Sequence, residues 1–158
     1  MILYQIEYPG LRHEPLIRSL KSGQYKAVVI EGYHSGTAHV CTGEEPPNCP
    51  YNIIPFLEFA RKIRVPVFLI FGHFVGDEDN KHGYKPFDEG IAGAYTTSNK
   101  MVKSGIVPLK ANEQQFSTVL QRLEEILNST TDYYTVIREM YESFPFQATL
   151  GEIRASAR

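Results

Sequence analysis

Histidine and cysteine crowd into one stretch of the chain, VVIEGYHSGTAHVCTGEEPPNCPY, Val28 to Tyr51. It holds both cysteines, Cys41 and Cys49, with His34 and His39 beside them. Imidazoles and thiols together are a soft ligand set of the kind zinc takes. The spacing argues against a metal, because His39-x-Cys41 and Cys41-x7-Cys49 do not make the usual C-x2-4-C knuckle. A Cys41–Cys49 disulfide would close a short loop stiffened by Pro46-Pro47, yet a reducing cytosol disfavours it. The expectation is therefore no metal, and two incidental, unpaired cysteines on a surface insertion.

Nucleophilic chemistry would need a thiol or hydroxyl beside a base. Ser35, His34, His73 and Cys41 could meet only if two separate loops converge. GYHSGT is not a G-x-S-x-G elbow, since no second glycine frames the serine. Asp77, Glu78, Asp79, Asp88 and Glu89 surround Lys81 and His82 in a long polar stretch that reads as a solvated loop, or else as a lid. Glu31 ends an apolar run, where an unpaired carboxylate would be costly to bury. It is expected to bond its own loop's amides or to face a ligand. No glycine loop matches a phosphate cradle. The residue types thus assign no catalytic residue and no cofactor.

These loops need elements to hold them. ILYQIEYPG alternates and breaks at Pro9-Gly10, which predicts a strand and a turn. HEPLIRSLKSG puts Leu16, Ile17 and Leu20 on one helical face and stops at Gly23. YKAVVIEG and VPVFLIFG are continuous β-branched and aromatic runs, the pattern of strands buried on both faces of a parallel sheet. Between them a helix is expected to open at Pro50, with Pro55 in its first turn and Ile53, Ile54, Leu57, Ala60 and Ile63 inward. A helix over Tyr95–Lys103, a short strand IVPL, and a helix capped by Asn112 follow. The helix after Asn112 carries Phe116, Val119, Leu120, Leu123 and Leu127 on one face, and a last helix points Tyr133, Val136, Ile137 and Met140 inward. Tyr133, Tyr134, Tyr141, Phe144 and Phe146 crowd this last helix; most are expected in the core, with packing against another subunit as the alternative for so much aromatic surface.

Alternating strands and helices predict an α/β three-layer sandwich, with a small parallel sheet of about four strands and helices on both faces. Residues 1–150 read as one domain and 151–158 as a frayed tail. In such sheets ligands bind beyond the carboxyl ends of the strands. That singles out Tyr33, His34, Ser35, Gly36, Thr37 and His73 as candidate ligand-binding residues. A net charge of −2, from 16 basic and 18 acidic side chains, lacks the footprint of a nucleic-acid binder. No apolar run is long enough to span a membrane, and MILYQIEYPG does not read as a signal peptide, so a cytoplasmic setting is expected.

Three segments, in order, resemble the C-terminal domain of the L-asparaginases, including the D subunit of archaeal glutamyl-tRNA(Gln) amidotransferase. YKAVVIEGYHSGTAHV is similar to the family's YKGIVIEGTGLGHVP, or YGxGNxP in the short type. IIPFLEFARKIRVPVFLIFGHFVG stands beside a helix followed by VPVVVTSQCLYG. GAYTTSNKMVKSGIVPLKANEQQFSTVLQRL stands beside xYxTGRxLLxAGVIPxxDMTPEAALxKLxxLL. The opening ILYQIEYPGL is similar to the strand and YPG turn that begin that domain, so the likeness covers about residues 1 to 127. The resemblance implies an amidohydrolase acting through an acyl-threonine. The threonine would come from a TGGT-like turn in another domain, and this chain would supply dimerisation and one wall of the amide site. Its expected partners are a second copy or that N-terminal domain, with a small amide or amino acid as ligand. This chain departs from the pattern at Gly36-Thr37, where the family has GN, at Phe71-Gly72-His73-Phe74 in place of TSQC, and at Thr97-Ser98 in place of TG.

Overall fold

Four apolar runs form one all-parallel sheet in the order β1-β2-β3-β4. The strands are β1 (Ile2–Ile6), β2 (Ala27–Glu31), β3 (Val67–Phe71) and β4 (Ile106–Asn112). The computed structural model describes residues 1–32, 38–41, 49–71 and 96–145. All five residues of β2 are buried, as expected for an inner strand covered on both faces. Its register is set on one side by Ile2 opposite Ala27 and on the other by Val28 opposite Val67. Within the described residues β4 is an edge strand. It therefore tolerates Pro108 opposite Leu69, next to an irregularity between Leu69 and Phe71.

The helices among the described residues are α1 (Glu14–Lys21), α2 (Ile54–Lys62), α3 (Thr96–Lys103), α4 (Phe116–Ser129) and α5 (Tyr133–Ser143). Helices α1, α2 and α3 share one face, where α2 packs against both others, as the right-handed rule for parallel crossovers expects. Helices α4 and α5 pack on each other and on β4, and cover the opposite face. There the Phe116 ring lies 4.1 Å from that of Tyr4. The result is the expected three-layer sandwich. Phe56, Phe68, Leu20, Ile30, Met101 and Tyr141 are among its fully buried side chains, each contributing roughly 1.5–3 kcal/mol by leaving water.

Boundaries differ from expectation where side chains compete for helix ends. Helix α2 starts at Ile54, not Pro50, because Asn52 Oδ1 accepts from Ile54 N (3.1 Å) and Pro55 fills the first turn. Its buried face is Phe56, Leu57 and Ala60, while Ile63 stands 38% exposed just beyond the helix end. The predicted IVPL strand runs on to Asn112, and a 3₁₀ turn, Glu113–Gln115, separates Asn112 from α4, so Gln115 takes the N-cap position. Helix α1 ends as expected, with Gly23 at φ +73°. The last helix points Tyr133, Val136, Ile137 and Met140 inward, and Asp132 caps it by accepting from Thr135 N. Among the described residues no helix is long and apolar enough to cross a membrane.

Candidate functional site

The carboxyl ends of β1 and β2 carry two carboxylates, each held by a partner. Glu7 N donates to Glu31 O (2.8 Å), which extends the ladder one residue past β1. The chain then reverses through Tyr8-Pro9-Gly10, with Leu11 N donating to Tyr8 O (3.1 Å) and Gly10 at φ +88°. This reversal returns His13, the residue before α1, onto Glu7. His13 Nε2 lies 3.1 and 3.0 Å from the two Glu7 carboxylate oxygens. Both side chains are closed to solvent, at 2% and 0% exposure, and His13 Nδ1 is buried with no hydrogen-bond partner among the described residues. With Nε2 committed to Glu7, the ring is placed to brace the turn.

Glu31 is held from the other face of the sheet. The Tyr4 hydroxyl donates to Glu31 Oε2, while the Tyr4 ring packs on Phe116. The contact expected from sequence was a loop amide or a ligand; among the described residues the carboxylate is engaged by a phenol. Gly32 N donates to Ile70 O (2.9 Å), so β2 and β3 stay paired to the point where the chain leaves the sheet. Tyr33, His34, Ser35, Gly36 and Thr37 come next in the chain, and they, like His73 and the acidic stretch from Asp77 to Glu89, lie outside the described residues. The chain is described again at Ala38, which is buried.

The cysteines behave differently from the expectation. Cys41 and Cys49 are joined by a disulfide, with Cα atoms 6.5 Å apart. Ala38 and Val40 are buried, and His39 and Cys41 alternate with them at intermediate exposure. Residues two apart along an alternating segment share a side, which brings the His39 imidazole to the sulfurs. His39 Nε2 lies 3.7 Å from Cys49 Sγ. The two arms are tied to the start of α2: Ile53 N donates to His39 O (2.9 Å) and Asn52 N to Cys49 O (3.5 Å). No sequence spacing announces this convergence, because it depends on residues 38–41 running beside the turn that opens α2.

A recess of about 530 Å³ lies at the opposite, amino end of the strands, between Lys21, Lys26, Phe59, Arg64 and Tyr133. Arg64 has a left-handed backbone (φ 60°), and its Nη1 donates to Tyr134 Oη (2.6 Å). Its guanidinium lies over the Tyr133 and Tyr134 rings at 5.5 and 5.1 Å. The hydrogen bond to Tyr134 holds Arg64 above its already high pKa, and burial raises that of Tyr133. Tyr133 and Tyr141 are core, while Tyr134 is 41% exposed beneath that arginine. No protein-family model matches the chain, and no curated protein matches it.

Proposed function

We propose that the chain is a domain of the asparaginase C-terminal type, which dimerises and forms one wall of an amide-substrate site whose nucleophilic threonine lies outside it. Three sequence segments support this by resembling that domain in the right order. A four-stranded parallel sheet with helices on both faces is the architecture expected of them. The observation that carries most weight is where β2 ends. Its buried run stops at Glu31, fixed by Tyr4, at the carboxyl edge where α/β sheets take ligands, and Tyr33–Thr37 follow Gly32 in the sequence. The ligand is a small amide or amino acid of the asparagine or aspartate kind, held by the Tyr33–Thr37 stretch and His73. Alone, the chain binds without turnover.

The second reading is a free-standing amino-acid-binding or assembly module, favoured by the divergence at Gly36-Thr37 from the family's GN. Titrating the purified chain with L-asparagine, L-aspartate and L-glutamine by calorimetry, with ammonia release and light scattering alongside, tests both. A dimer that binds asparagine or aspartate without releasing ammonia is the expected result. Robust ammonia release that His34→Ala abolishes would place catalysis within this chain. A monomer with no amino-acid affinity would sink the proposal.

A further inference from the structure

The disulfide and His39 together describe more than a loop staple. We propose that the reduced chain binds one soft divalent cation, zinc(II) first among them, through His39 Nε2, Cys41 Sγ and Cys49 Sγ, and that the disulfide is the closed form of this site. The three donor atoms all lie within 4.8 Å of one another. Tetrahedral zinc, with Zn–S of about 2.3 Å and Zn–N of about 2.0 Å, sets sulfur and nitrogen about 3.5 Å apart and two sulfurs about 3.8 Å apart. The His39 Nε2 to Cys49 Sγ separation of 3.7 Å already fits. The sulfurs must part, and Cα atoms 6.5 Å apart let side-chain rotation do this with little backbone movement.

Preorganisation comes from the fold. Ala38 and Val40 plug the core on either side of His39, and the backbone bonds from Asn52 and Ile53 fix both arms to the head of α2. The ligands are partly exposed, so an ion can enter, and the Tyr51 ring stands edge-on to the imidazole at 6.1 Å. Three protein ligands leave a fourth position for water, as in open zinc sites. Opening requires a dithiol reductant. It gives two electrons and two protons to the disulfide, yielding two thiols and its own cyclic disulfide. Zinc then binds two thiolates and the neutral imidazole, and the two thiol protons are released. None of this depends on the amidohydrolase reading.

The test uses the whole, tag-free chain, reduced with a dithiol and freed of it under anaerobic conditions, then titrated with cobalt(II). A thiolate-to-cobalt charge-transfer band and strong tetrahedral visible absorption should appear, saturate at one ion per chain and vanish when zinc is added. The oxidised chain should show neither. His39→Ala should weaken binding roughly tenfold or more, and Cys49→Ser should remove the charge-transfer signal of a two-thiolate site. Circular dichroism checks that each variant is folded. The wild-type chain offers a readout that needs no variant, because bound zinc should slow alkylation of both thiols, followed by mass spectrometry. Absence of the cobalt bands, full binding by a Cys41→Ser/Cys49→Ser chain, no effect of His39→Ala, or equal alkylation rates with and without zinc would each overturn the proposal.

Discussion

Replacing His13 by alanine tests whether the carboxyl edge of β1 is held by a buried pair. Glu7 has no exposed side-chain surface, and the His13 ring spans both of its oxygens at 3.0–3.1 Å. Taking away the ring strands a buried carboxyl group, and breaking a buried pair by removing one partner costs about 3–5 kcal/mol. For a chain of 158 residues, at roughly 2–4 °C per kcal/mol, the melting temperature should fall by roughly 6–20 °C. Glu7→Gln keeps an acceptor for the ring but loses the charge, so its cost should be smaller, about 1–2 kcal/mol. Glu7→Leu/His13→Leu removes both polar groups and should recover most of the loss, because apolar replacement of a whole buried pair is often neutral. Urea unfolding followed by circular dichroism, with the slope checked against wild type, gives all three values. A His13→Ala cost below about 1 kcal/mol at unchanged slope, or a double variant no better than His13→Ala, would refute the reasoning.

Three further outcomes follow from other parts of the fold. Reducing the Cys41–Cys49 disulfide, with its sequence separation of 8, should lower unfolding free energy by about 2.5 kcal/mol on loop-closure entropy, measured as the shift in urea midpoint with and without reductant. Gly105→Ala should cost about 1–3 kcal/mol in thermal melts. The position sits at φ +110°, and an added Cβ would lie 3.2 Å from Arg61 Cδ, whose side chain also reaches Lys103 O at 2.8 Å. Asp132 is held below its usual 3.8 chiefly by hydrogen bonds from the Thr135 hydroxyl and N–H. Its stabilisation is therefore full above that value and lost as pH falls through the lower folded one. The melting-temperature gap between wild type and Asp132→Asn should shrink on acidification, and a gap that does not change with pH would contradict this.

Much of the scaffold is legible in sequence, because two-sided burial leaves a chemical trace. AVVI and VFLI are apolar throughout, and both runs are buried in strands. Gly23 and Gly105 mark turns that need positive φ. What the pattern misses depends on neighbours distant along the chain. Ile63 keeps the helical period, yet the helix ends before it and Arg64 turns left-handed, so it stays half out while Phe56 goes in. Asn52 outbids Pro50 as the start of α2 because its side chain reaches Ile54 N. The Glu7–His13 pair did carry a signal: a carboxylate at a strand end, a Pro-Gly turn, and a histidine just before a helix. The cysteine pair is visible in the sequence, and only the premise of a reducing compartment argues against joining it; what the spacing does not say is that residues 38–41 run beside the head of α2 and bring His39 to the sulfurs. The candidate ligand residues Tyr33–Thr37 and His73 rest on their place in the sequence just after apolar strand runs and on resemblance.

The strand order has a consequence for how the chain is made. Among the described strands, each one after β1 pairs with the strand synthesised just before it, so none waits for a later one to be inserted between it and that neighbour. Growth is vectorial: β2 can dock on β1 as soon as α1 is out, and β3 and β4 can follow in turn, with domains acquiring structure from the N-terminus during synthesis. One face is then clothed as the sheet widens, whereas the other stays bare until α4 and α5 emerge. A chain halted just after β4 would thus present a finished sheet with one greasy side, and this is the nascent intermediate a chaperone should grip.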